Sequence, residues 1–212
     1  MTTKFCTVDQ VKAYLNAVDS YSGDDTAITQ HIKTATSLIK RYTRRSWVEA
    51  TFVEHFSTQQ INVALGTGVG VARFTLKERP IQSITAILYS PSGDWANTTA
   101  LESTMYEITG SGFVIYPNVM RYYPRSIRCT YVGGYALDGT DAELVLVPEH
   151  VAAACAIQAA FTFRRVINET SGSKQKQDKK GFVTFDLNAA GLIGDALALL
   201  KSETRILVGG YG

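Results

Sequence analysis

Apolar residues change their spacing four times along this chain of 212 residues. Near the start they recur every three or four positions. Val8, Val11, Leu15 and Val18 share one face and predict a helix over 7–19. Thr7, followed by Gln10 three residues later, forms a capping box at its start. A polar break at 20–23 follows. Asp24 or Asp25 then caps a second helix over 25–45, with Ile28, Ile32, Ala35, Ile39 and Tyr42 on its apolar face. Lys33, Lys40, Arg41 and Arg44 occupy other faces or the last turns, where cations suit the helix dipole. The two helices make a hairpin that needs something to pack on.

From Trp47 the period drops to two. Alternating runs at 51–56, 61–65, 73–77, 84–89, 106–109, 113–116 and 127–132 are separated by Gly, Pro, Ser and Asn clusters. Short strands at such spacing predict a small antiparallel sandwich or barrel-like sheet.

After Pro148 the helical period returns. The predicted helix, 148–168, contains an uncharged stretch at 151–163 with hardly a polar face. A helix apolar all round is normally buried on all sides, so this one predicts contact with neighbouring subunits. Its alanines would let helices approach closely. The expected subunit contacts are Val151, Ala152, Ala156, Ala159, Ala160 and Phe163. A polar arm at 171–180 and a short alternating run at 182–187 come next. A last amphipathic helix is predicted over 189–201, with Leu192, Ile193, Ala196, Leu197 and Leu200 on one side. Gly191 and Gly194 inside it cost about 1 kcal/mol each relative to Ala, so it should form against a neighbour. The fold class is α+β: a helical bundle with an inserted β-domain at 47–135, then a C-terminal arm plus helix. The expected division is a core over 1–169 and an appendage over 170–212.

Charge adds little. The formal excess is +2, too small to announce a nucleic-acid binder. Residues 1–147 hold 13 basic and 13 acidic side chains, and 148–212 hold 8 and 6. Cys6, Cys129 and Cys155 are odd in number and widely spaced, which fits a reducing compartment and core packing. No apolar run reads as a signal peptide or a membrane span. The expectation is a soluble protein made in the cytoplasm.

Candidate chemistry is sparse. Gly66, Gly68 and Gly70 follow a strand pattern, but a strand pattern and not a helix comes next, so a hairpin loop fits better than a phosphate cradle. His31, His55 and His150 show no metal-ligand spacing, and no nucleophile elbow is present. Lys40, Arg41, Arg44 and Arg45, and the cluster Lys174, Lys176, Lys179 and Lys180, read as a solvated helix end and a mobile arm. Tyr122, Tyr123, Arg125 and Arg128 mix aromatics with bases, yet strand alternation sends such side chains to opposite faces. No catalytic, cofactor or metal site is expected.

Several motifs occur in a telling order. They are Asp24-Asp25 with Ile28 and Ile32, the helix end at Tyr42 to Arg45, and L-x-E-R-P-I at Leu76, Glu78, Arg79, Pro80 and Ile81. Then come Y-x-G-G-Y at Tyr131, Gly133, Gly134 and Tyr135, and the helix opened by Val147 and Pro148 with Gln158, Ala159 and Ala160. Together, over about 7–168, they resemble the head–tail connector, or adaptor, proteins of long-tailed bacteriophages and gene transfer agents. The resemblance implies a non-enzymatic ring, generally of twelve subunits, in the virion neck. Such a ring binds the portal, meets a tail-side neck or stopper protein, and lets DNA through its lumen without specific binding. It implies portal contact by the C-terminal region, where Leu192, Ile193, Leu197, Leu200, Ile206 and Leu207 are the expected residues. The alternatives are another neck protein of the stopper or tail-completion type, a nucleic-acid-binding module using the basic clusters, and a small hydrolase using His55 or His150.

Overall fold

The computed structural model describes residues 3–16, 24–57, 72–90, 92, 94–96, 98–109, 112–115, 125–170 and 191–203. The predicted strand at 61–65, the glycine loop at 66–70, the arm at 171–180, the run at 182–187, Ile206 and Leu207 lie outside them. The chain divides into a helical unit, Met1–Arg45 with Ala136–Gly212, and a β unit, Ser46–Tyr135.

In the helical unit, α1 (Val8–Asn16) opens on the capping box: the Thr7 amide donates to Gln10 Oε1 at 2.8 Å and the Gln10 amide to Thr7 Oγ1 at 3.2 Å. Helix α2 (Asp25–Thr43) is capped by Asp24, whose carboxylate accepts the Thr26 amide at 2.8 Å. It ends two residues before the predicted boundary because Arg44 turns left-handed, with φ 55°. Ile28, Ile32, Ala35, Thr36, Ile39 and Thr43 are its buried face. Tyr42, predicted to belong there, is only half buried.

Helix α3 (Glu149–Thr170) begins after Pro148, whose carbonyl accepts from the Val151 and Ala152 amides at 2.9 and 3.1 Å. It packs against α1, α2 and α4 (Gly194–Leu200). Three helical neighbours explain why its apolar surface spreads over so many faces. Helix α4 is shorter than predicted: Gly191 has φ +79°, outside the helix, and Ile193 is the N-cap. The N-terminal segment adds a bridge, Lys4 to Leu144, with the Lys4 amide donating to Glu143 at 2.7 Å. Phe5 and Cys6 are buried beside it.

Among its described residues the β unit holds two antiparallel sheets. One has the order β1 (Ala50–Phe56), β7 (Ile127–Gly133), β3 (Ile81–Tyr89), β4 (Thr99–Ala100). The other is β2 (Ala72–Thr75), β6 (Gly112–Ile115), β5 (Tyr106–Thr109). Strand β7 alternates buried and half-buried residues without a break, as a central strand covered on one face should. Phe56 and Ile127 from the first sheet and Phe74, Phe113 and Ile115 from the second share one core. Phe56, Phe74 and Phe113 meet at ring-centroid distances of 5.0–5.8 Å. The short β4 carries too few residues to show a period, and the sequence pattern misses it.

Candidate assembly surfaces

The L-x-E-R-P-I and Y-x-G-G-Y motifs meet where the β unit begins and ends. Glu78 is 1% exposed, yet its carboxylate is satisfied: Oε1 accepts the Ser46 amide at 2.7 Å and Oε2 the Trp47 amide at 3.2 Å. The Glu78 amide donates to Tyr131 Oη at 3.0 Å, and that hydroxyl donates to Glu54. Burial and the bond to Glu54 hold the Tyr131 hydroxyl well above its ordinary pKa. Gly134 has φ +100°, and a Cβ there would stand 2.6 Å from the Val48 carbonyl oxygen. Its amide donates to Pro80 at 3.0 Å, after the cis Arg79–Pro80 peptide. Tyr135 donates its amide to Trp47 at 2.8 Å and stacks on that indole at 5.9 Å. The motifs therefore hold together the entry and exit of the inserted unit. The buried carboxylate was not read from the sequence, although an acid between Leu76 and Pro80 was its signal.

Residues expected at subunit contacts take a different place. Val151, Ala156, Ala159, Ala160 and Phe163 are buried within their own helical unit. Side chains with no surface in a single chain need no neighbouring copy to cover them, so their apolarity is no argument for a ring. Ala152 alone of the six is half exposed.

The residues expected at the portal divide similarly. Leu192, Ile193 and Leu200 are buried, and Leu197 is half buried. The fully buried amide of Gln158 on α3 accepts from the Ile193 amide at 2.9 Å and donates to the Gly191 carbonyl at 3.4 Å. At the other end Glu203 accepts from Arg45 at 2.5 Å and stands 3.1 Å from His150 Nε2. The Arg45 side chain is almost fully buried. The described C-terminal segment is thus fastened to its own chain and is not a free arm. Gln158, the one amide in the uncharged stretch 151–163, was the legible sign; the role of Glu203 had none.

The histidines stay apart in function. His31 Nδ1 lies 3.1 Å from Thr162 Oγ1, its ring is edge-on to Phe163, and burial lowers its pKa. His150 faces Glu203. His55 sits edge-on to Trp95 at 5.2 Å; partial burial, then the charges of Arg125 and Arg128, lower its pKa. Arg128 also lies over the Trp95 ring at 5.0 Å. The charges of both arginines therefore reach His55, and Arg125 precedes the strand with φ 54°. Among the described residues no group of three or more His, Cys, Asp or Glu is placed to hold a metal ion. All three cysteines are free and buried. Burial, with Glu54 nearby, pushes the Cys129 thiol up to about 12. A hydrogen bond with Cys155, reinforced by burial, raises that of Cys6. Such thiols are poor nucleophiles.

The chain shares its fold with a chain from the neck of an empty GTA particle computed with C6 symmetry, at TM-score 0.51 and 14% identity. That match covers 96% of this chain and 91% of the other. It is also similar to a chain of the virion of a native gene transfer agent (GTA) particle, at TM-score 0.47 and 13% identity, covering 96% and 91%. A chain from the neck of a native GTA particle computed with C12 symmetry matches at TM-score 0.46 and 14% identity, covering 100% and 98%. No protein-family model and no curated protein matches this sequence.

Proposed function

We propose that this chain is a structural protein of a virion neck, one subunit of a ring adaptor that joins the portal of a DNA-filled head to tail-side neck proteins. The observation that carries the reading is the fold shared along 96% of the chain with a subunit from the neck of a GTA particle. The motif order supports it, because the residues that carry the resemblance are those that close the β unit. A net charge of +2 suits a channel through which DNA slides without being held. The role is architectural, and no step of bond chemistry belongs to it. Among the described residues no helix is long and apolar enough to cross a membrane.

Portal contact belongs, in this reading, to the region beyond Glu203, including Ile206 and Leu207. Leu192, Ile193 and Leu200 are buried, and α4 packs on α3 just before that region. The test is a pull-down with purified portal, followed by electron microscopy of the product. The full chain should decorate the portal as a ring, and deletion of 204–212 should abolish this while leaving α4 folded. Normal decoration by the truncated chain overturns the portal assignment. Binding only to tail-side proteins would mark a stopper-type neck protein instead.

A further inference from the structure

We propose that the β unit carries both halves of a head-to-tail contact between copies of this chain: a cationic, aromatic face on one copy and an acidic, apolar sheet edge on the next. The proposal rests on the ring reading above and assigns it a surface.

The first half lies on the outer face of the four-stranded sheet. His55 on β1 and Arg128 on β7 are direct cross-strand partners, so their side chains share that face. Trp95 joins them, with Arg128 over its ring and His55 at its edge. Arg125 is exposed and close enough for its charge to act on His55. Val53, two residues from His55 on the same face, is 54% exposed. A guanidinium laid on an indole is held flat with its N–H groups outward, ready for a carboxylate. Trp and Arg together are also the side chains that dominate protein interface energetics. A nucleic-acid strand fits less well. The indole is already engaged by Arg128 and His55, which leaves a poor stacking platform, and Val53 has nothing to offer a phosphate.

The second half is the edge of the three-stranded sheet. Among the described residues β5 is a terminal strand there, and Met105 and Ile108 are 43% and 49% exposed. Glu102, exposed at the turn leading into β5, supplies the carboxylate. Each half therefore pairs an exposed apolar residue with charge of opposite sign to the other. Because the halves are different patches of one chain, their contact is heterologous, and repeated copies close into a ring or grow as a filament.

The test is sedimentation of the full chain up to about 1 mM, where weak contacts become half occupied. Three variants are compared: Arg125→Glu/Arg128→Glu, Glu102→Lys, and Ile108→Arg as a second change on the acidic edge. Wild type should associate, and each variant should lose at least tenfold in apparent association constant with unchanged melting. A mixture of Arg125→Glu/Arg128→Glu with Ile108→Arg keeps one intact half of each kind. It should form a two-chain species and nothing larger, which also shows that both variants are folded. If wild type associates and the variants do so equally, the contact is overturned while the ring reading stands. If the mixture stays monomeric although wild type associates, the head-to-tail pairing is overturned. Absence of wild-type association overturns the contact, and the ring reading is then decided by the portal experiment alone.

Discussion

The side-chain amide of Gln158 accepts a hydrogen bond from the backbone of Ile193 at 2.9 Å, deep inside the helical unit. One amide in the uncharged stretch of α3 thereby fixes where the C-terminal helix begins. Without it the Ile193 amide would be buried with no acceptor. Gln158→Leu should cost about 1–3 kcal/mol. Hydrogen exchange should show faster opening of 192–200, with α1 and α2 little changed. Unchanged exchange in that segment would remove Gln158 from this role.

Glu78 plays the matching part in the β unit. Its carboxylate holds the Ser46 and Trp47 amides, and Trp47 sits at φ 69°, a backbone state that needs support. Glu78→Ala leaves two amides without their acceptor and should lower stability by about 3 kcal/mol or more. Gly134→Ala should add a separate loss of about 2 kcal/mol through its positive φ and the clash with Val48. Urea denaturation of both variants checks this, and wild-type midpoints would refute it.

Ala156 is 1% exposed within its own chain. Ala156→Trp should therefore unfold or badly destabilise the isolated chain, since an indole finds no room in a packed interior. Loss of oligomers with an intact monomer melt would instead restore Ala156 to a subunit contact.

Stability should fall as the medium is acidified from pH 7 toward 5. Burial lowers the His31 pKa from its ordinary 6.5. The unfolded chain then takes up the proton before the folded one does, so the contribution of His31 is complete above about 6.5. It is lost as pH falls through the folded value. His31→Gln should remove its share of this slope and leave that of His55, whose pKa is lowered as well. Asp138, held low by Thr140, and Asp141, held low by Lys4, add a second loss only below the ordinary carboxylate range. Denaturation midpoints against pH, with and without His31, resolve the two steps.

Much of the fold was legible because local signals and tertiary structure agree. Thr7 with Gln10, and Asp24 before α2, are capping chemistries that act within one turn. Alternation along β1 and β7 survives because one face of each is covered. The errors come from contacts distant in sequence. Gly191 and Gly194 look like weak links inside one long helix. In fact Gly191 lies outside the helix with φ +79° and Gly194 begins it, and Gln158 accepts and donates at that start from 33 residues away.

By itself the sequence determined the α+β class and the order of helical body and inserted sheets. These follow from periodicity and capping, which are properties of neighbouring residues. Only the tertiary structure decided who covers the apolar helix. Val151, Ala159 and Phe163 look alike whether a neighbouring subunit or the same chain buries them, because the hydrophobic effect is non-directional and records burial without naming the partner. The packing of α1, α2 and α4 around α3 settles that for the helical unit. It moves the search for a subunit contact to the surface around Trp95 and Arg128.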